Sequence, residues 1–192
     1  MSKENKLKKQ NWKDKLEITA IISFLIIAFL VTGWIKMNDN QCDEFSKTIV
    51  EINTNKGKIT AEIYNEYVPI TATNFLNLVE NKFYDNLTFH RYEPNFVIQG
   101  GDPRGDGTGG SNATIPLEIN ENLRHDVGML AMARSSNPNS ASSQFYITLN
   151  QAHFLDDNYA VFGKVIEGMD IVLKLRAKDK IESIKIIKKI CK

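Results

Sequence analysis

The stretches "TIVEINT" (48–54) and "KITAEIY" (58–64) alternate apolar and polar residues on either side of Asn55-Lys56-Gly57. Successive side chains of a strand point to opposite faces, so each stretch offers one face to a core and one to water. A glycine-bearing break between two such runs makes a β-hairpin. Short strands are expected again around 87–92, 96–100, 129–133, 144–149 and 161–165, and the closing "KIESIKIIKKI" alternates enough for a last one. Helical spacing is confined to two places. In "TATNFLNLVENKF", Phe75, Leu78 and Val79 recur after Pro69 and behind a Thr71 cap. A second helix is expected near 168–177, following Gly168. Many strands, many turns and two helices predict a mainly β fold, a closed barrel whose open ends the helices cover.

The N-terminal part obeys a different rule. "ITAIISFLIIAFLVTGWI", from Ile18 to Ile35, carries no charge and lies between Glu17 and Lys36. As a helix it would span about 27 Å, enough for a bilayer core. Trp12 and Trp34 flank it, where amphipathic rings favour the membrane interface. A cleaved signal peptide is the alternative, with Val31-Thr32-Gly33 as a poor small-residue site. A buried core helix would show a polar face, which this segment lacks. The expected organisation is a basic cytoplasmic terminus over 1–17, a signal-anchor helix over 18–35, a polar stalk over 36–46 and a folded domain over 47–192. Seven lysines against three acids give residues 1–37 a charge of roughly +4. The positive-inside rule then leaves the N-terminus in the cytoplasm and exports the domain from a single-pass cell-membrane anchor.

The rest of the chain is mildly acidic, roughly −3, with both signs interspersed. Without a basic stripe it is a poor nucleic-acid binder, because phosphate neutralisation supplies most non-specific affinity. Cys42 and Cys191 are the only cysteines, and their spacing builds no metal site. If the domain ends meet, an oxidising exterior permits a disulfide between them; otherwise two free thiols stand near frayed ends.

"FHRYEPNFVIQGGDPRGDGTGG" (89–110) carries the chemistry. Gly105 to Gly110 satisfies G-x-G-x-x-G, but a dinucleotide loop must follow a strand and open a helix. Here the glycines lead into "SNATIPLEI", which holds Pro116 and no helical period, while Asp102 and Asp106 would repel phosphate. These glycines are therefore read as tight turns of a surface loop. His90, His125 and His153 belong to no nucleophile motif and are read as surface or satisfied polar residues. Arg91 remains, amid Phe89, Tyr92, Phe96, Val97 and Ile98, with Gln99 closing the run. Farther on, Gln144, Phe145 and Tyr146 follow a polar loop. Fixed donors beside an apolar pocket suit a neutral amide with a greasy ring. The residues alone leave two readings open, a peptide-binding cleft and plain barrel packing.

F-H-R, F-x-x-Q-G-G-D, G-T-G-G, S-Q-F and V-F-G-K-V follow one another through "FHRYEPNFVIQGGDPRGDGTGG", "GMLAMARSSNPNSASSQFYITL" and "HFLDDNYAVFGKVIEGMDIV". In this order and spacing they resemble the cyclophilin family of peptidyl-prolyl cis–trans isomerases over nearly all of 48–190. The short loops, "YAVFGKV" above all, are similar to those of prokaryotic members. The resemblance implies a closed eight-stranded antiparallel β-barrel capped by two α-helices, and an enzyme that rotates X–Pro bonds without metal or cofactor. It implies Arg91 as the catalytic group. Phe96, Val97, Tyr146, Leu155 and Tyr159 match the wall of the proline pocket, and Gln99 and Gln144 match the polar groups that steady the arginine and the peptide. Ala133, Arg134 and Ser135 match the strand edge along which the peptide lies. Phe154 stands where the best-known eukaryotic members have tryptophan, Tyr159 where they have histidine, Arg134 where they have asparagine, and Val97 where methionine is usual. Phe154 lacks an indole N–H, so weak cyclosporin binding is implied. The expected partners are proline-containing polypeptides. The alternative is a membrane-tethered receptor or chaperone that binds proline peptides without catalysis.

Overall fold

The computed structural model describes residues 45–192. The expected basic terminus, the anchor helix over 18–35, Cys42 and most of the stalk lie outside those residues. Among the described residues no helix is long and apolar enough to cross a membrane. The hairpin forms as β1 (Phe45–Thr54) and β2 (Gly57–Ile63), with Val50 opposite Ala61 and Ile52 opposite Ile59. Thr48, Val50, Ile52 and Thr54 are buried while the residues between them are not, which is the period of two made visible. β1 starts at Phe45, so the last positions assigned to the stalk are already strand.

The remaining strands are β3 (Arg91–Glu93), β4 (Val97–Gly100), β5 (Met129–Met132), β6 (Phe145–Thr148), β7 (Val161–Glu167) and β8 (Ile181–Cys191). They form one eight-stranded sheet in the order β3-β4-β6-β5-β7-β2-β1-β8, and every neighbouring pair is antiparallel. The closed barrel expected from the sequence is not completed by a ladder, because β3 and β8 do not pair. Only the last residues of the strand expected over 87–92 enter β3. The segment before them stands in the seam instead, with Thr88 bridging Asp102 on one side and Lys180 on the other. Backbone bonds from Ile181 N to Leu87 O (2.8 Å) and from Phe89 N to Asp179 O (2.9 Å) stitch it to the approach of β8.

Helix α1 (Pro69–Glu80) buries Thr71, Ala72, Phe75, Leu76 and Val79. Pro69 opens it, where a missing N–H leaves no acceptor wanting. The expected Thr71 cap is replaced: Thr71 is buried within the first turn, and Glu118 from a distant loop accepts from Ile70 N (3.2 Å) and Thr71 N (2.8 Å). The Phe75 ring meets Tyr84, Phe145 and Phe162 at centroid distances of 5.2, 5.5 and 5.0 Å, so this helix is keyed into the core through one aromatic cluster. Helix α2 (Met169–Val172) is far shorter than the expected 168–177. Past it the turns tighten, Lys174 N donating to Ile171 O and Leu175 N to Val172 O, and Arg176 N is taken by Asp179 Oδ2 at 2.7 Å. Arg176 Nη1 then caps the end, donating to Leu173 O and Leu175 O at 2.9 and 2.7 Å. At the end of β8, Cys191 is disulfide-bonded.

Candidate functional site

Strand pairing sets Arg91 opposite Gln99 across β3 and β4, and Gln99 opposite Tyr146 across β4 and β6. Directly paired residues project from the same face of a sheet, so three expected site residues form one row. Arg91, Phe96, Val97, Gln99, Ala133, Arg134, Tyr146, Leu155 and Tyr159 line a cavity of about 290 Å³. A second cavity of about 310 Å³ shares Gln99, Ala133 and Arg134, and adds Ser135, Gln144 and the loop residues Gly107 to Gly109, with Ser140 and Ser142. Of the expected site residues only Phe154 lines neither. It is 72% exposed and stacks on Phe96 at 5.5 Å, on the rim.

The first cavity combines apolar and aromatic wall residues with the donors of Arg91 and Arg134. Val97 and Tyr146 are buried, and Phe96, Leu155 and Tyr159 pack against the core from the cavity's edge. Arg91 lines the same cavity. Its Nη1 donates to Gln99 Oε1 at 3.4 Å and its Nε to Glu93 Oε1 at 3.4 Å, while its guanidinium carbon lies 6.0 Å from the Phe96 ring centre. No aspartate or glutamate lines either cavity.

The orientation of Gln99 is settled at the glycine loop. The carbonyls of Gly107 and Gly109 can only accept, and Gln144 Nε2 donates to them at 3.0 and 2.6 Å. That turns Gln144 Oε1 toward Gln99 Nε2 at 2.8 Å. Gln99 Oε1 is then left facing Arg91. The loop holds its shape around Asp102, which is buried and accepts from Arg104 N at 2.8 Å and from the amides of Asp106 and Gly107. Burial alone would raise the pKa of this carboxyl, but the backbone N–H groups of Arg104, Gly107, Gly109 and Asp106 outweigh it and hold it below the ordinary value. A Cβ on Gly109 would run into the Asp102 carboxylate, so glycine is needed there for close approach. The glycines are thus turn formers, as expected, and their carbonyls also face the site.

Sequence reasoning missed this role for Asp102 and the buried chain behind Tyr146. His125 is fully buried; its Nδ1 lies 2.8 Å from Asp156 Oδ1 and its Nε2 lies 2.9 Å from the Tyr146 hydroxyl. With Asp156 ionised, Nδ1 carries the proton and Nε2 accepts from Tyr146, which fixes that ring in the cavity wall. Burial lowers the His125 pKa, and Asp156 only partly restores it, so the imidazole is neutral. His125 is therefore a satisfied polar residue, as read. His153 pairs with Asp126 at 2.8 Å, but His90 departs from the reading, since both its ring nitrogens are buried without a hydrogen-bond partner. No spacing rule joins residues 125, 146 and 156, and none joins 102 to 144; only the fold brings them together.

A profile of the family described as cyclophilin type peptidyl-prolyl cis-trans isomerase/CLD matches residues 49–190. A peptidyl-prolyl cis-trans isomerase of Acinetobacter baylyi is 47% identical over 136 residues, covering 68% of this chain and 72% of its own. One from Schizosaccharomyces pombe is 42% identical over 149 residues, covering 72% of this chain and 96% of its own. Among solved structures, a cyclophilin type peptidyl-prolyl cis-trans isomerase of Cryptosporidium parvum, crystallised in the presence of the dipeptide Ala-Pro, superposes with a TM-score of 0.69 at 33% identity. That match covers 73% of this chain and 99% of the other.

Proposed function

Since this chain belongs to the cyclophilin-type peptidyl-prolyl cis–trans isomerase family, we propose that it isomerises X–Pro bonds with the proline ring in the Phe96–Val97–Leu155 cavity and Arg91 as the group that lowers the barrier. The peptide C–N bond has partial double-bond character, and rotation about it costs about 18–20 kcal/mol. An X–Pro bond left alone exchanges in tens to hundreds of seconds. At the twisted transition state resonance is lost and the proline nitrogen keeps a localised lone pair. A guanidinium N–H aimed at that nitrogen interacts with the twisted amide more than with the planar one, and only such a difference accelerates the reaction. Arginine suits the task because its planar fork stays charged and is held in one orientation by its partners. The apolar wall grips the ring while the rest of the chain turns. No bond to the protein is made or broken.

The observation that carries this reading is a guanidinium, bonded to Gln99, in a cavity that Phe96, Val97, Tyr146 and Leu155 also line. The test is exchange of a short X–Pro peptide by the full-length protein and by Arg91→Ala. Removing one preorganised donor to a developing charge commonly lowers kcat about a hundredfold, so a loss of that order with peptide still bound is expected. Binding without acceleration by the wild-type protein would replace the enzyme with a proline-peptide receptor.

The isomerase is held at the outer side of the cell membrane by the apolar segment 18–35 and acts on exported polypeptides as they fold. The uncharged 18-residue run and the lysines before it support this reading. So does the disulfide-bonded Cys191, since such bonds persist in oxidising compartments. Protease added to intact cells should remove the domain and spare a tag on the N-terminus; a protected domain overturns the topology. Cyclosporin binds weakly in this reading, because Phe154 on the rim offers no ring N–H.

A further inference from the structure

Arg134 stands where the two cavities meet and lines both. Its fork is already locked: Nε and Nη2 donate to Asn158 O at 3.1 and 2.9 Å, and Nη1 donates to Ser135 O at 2.8 Å. The guanidinium lies over the Tyr159 ring at 4.5 Å. These partners are neutral carbonyls and a π face, so they orient the cation without cancelling its charge. Among the described residues no carboxylate pairs with it, whereas Glu93 offsets the other guanidinium of the cavity, Arg91, at 3.4 Å. One N–H of Nη2 is left over from the contacts of this fork. The groove therefore presents a fixed, half-buried and uncompensated positive charge beside the place where the proline ring sits.

We infer that Arg134 makes the groove selective for peptides carrying a carboxylate within two residues of the proline, a specificity that rests on the isomerase reading above. Successive Cα atoms are 3.8 Å apart, so a chain with its ring in the first cavity reaches the second with a neighbouring residue, and Arg134 borders both. Because the fork is already held, binding a carboxylate freezes no long side chain. That removes the main entropic penalty of an ordinary surface ion pair. A lysine in the same position meets like charge with no acid lining either cavity to relieve it.

The test places Glu, Gln or Lys at each of the two positions before proline and the one after, and measures kcat/KM with the full-length protein. At one of these positions Glu should exceed Gln by about threefold and Lys by about tenfold, the scale of a partly exposed pair gained or repelled. Raising salt to about 0.5 M should compress that ratio, because screening acts within a few ångströms at such strength. Arg134→Gln should bring the Glu-to-Lys ratio close to one, and Arg134→Lys should keep part of it. A wild-type ratio near one at all three positions overturns the inference, as does a preference that survives Arg134→Gln. Turnover of the Gln peptides reports on the isomerase itself. If they are turned over without charge preference, only the role of Arg134 falls; if no peptide is turned over, the isomerase reading falls.

Discussion

Gln144 touches neither Arg91 nor, in the isomerase reading, the reacting nitrogen, yet it decides which end of Gln99 the arginine meets. Replacing it by leucine leaves the carbonyls of Gly107 and Gly109 and the amide of Gln99 without their partners. Gln99 is then free to flip and turn its NH2 toward a guanidinium that needs an acceptor. Gln144→Leu should lower kcat about tenfold, or about 1.4 kcal/mol in barrier, with a smaller change in KM. An unchanged kcat would show that Arg91 needs no such orientation. At this scale the sequence was most informative where chemistry is borne by residue type. Arg91, Gln99, Tyr146 and Gln144 stood out as rare polar or aromatic groups in apolar runs, and the fold sets them around adjoining cavities. What stayed hidden was polarity and partnership. An amide reads the same in either orientation, and Asp102, which holds the loop, reads as one more acid in a turn.

Secondary elements were legible in kind and less so in extent. Period-two alternation predicted β1 and β2 because each has one face in the core, whereas β8 buries only Ile181 and Ile184. Ends were misjudged where a side chain takes over the backbone, as Asp179 does after α2 by accepting from Arg176 N, and as the distant Glu118 does before α1. Local sequence suggests a cap by Thr71, and nothing near it announces an acceptor 47 residues away. Glu118 satisfies two of the first-turn amides and places its charge where the helix dipole favours an anion. Glu118→Ala should therefore destabilise the domain by about 1 kcal/mol, a fall in Tm of roughly 3 °C at this size. Glu118→Gln keeps one of the two oxygen acceptors, enough for the 2.8 Å bond from Thr71 N, and should lose less. Equal losses in a thermal melt would assign the effect to charge rather than to capping.

Across the whole molecule, buried titratable groups tie stability to acid pH in two separate windows. His125 and His90 both have folded pKa values pushed below the ordinary 6.5, by burial first in each case. The unfolded chain takes up these protons as pH falls through about 6.5, while the folded protein resists until lower pH. Their contribution is thus present above 6.5 and drains away on acidification. The carboxyls of Asp102, Asp156 and Asp179 lie below the ordinary 3.8, because hydrogen bonds and nearby cations outweigh the effect of burial. Their contribution is present above 3.8 and is lost only as pH falls further, through the folded values. The melting temperature should be level between about pH 7 and 9, decline first below about 6.5 and decline again below about 4. The first decline also reaches the cavity, because a proton on His125 Nε2 takes away the acceptor that the Tyr146 hydroxyl uses. His125→Gln should shrink the first decline, leaving the share due to His90, and leave the second in place. A melting temperature that stays level from pH 7.5 to 5 in the wild-type protein would mean that these imidazoles exchange protons as freely in the fold as in the open chain.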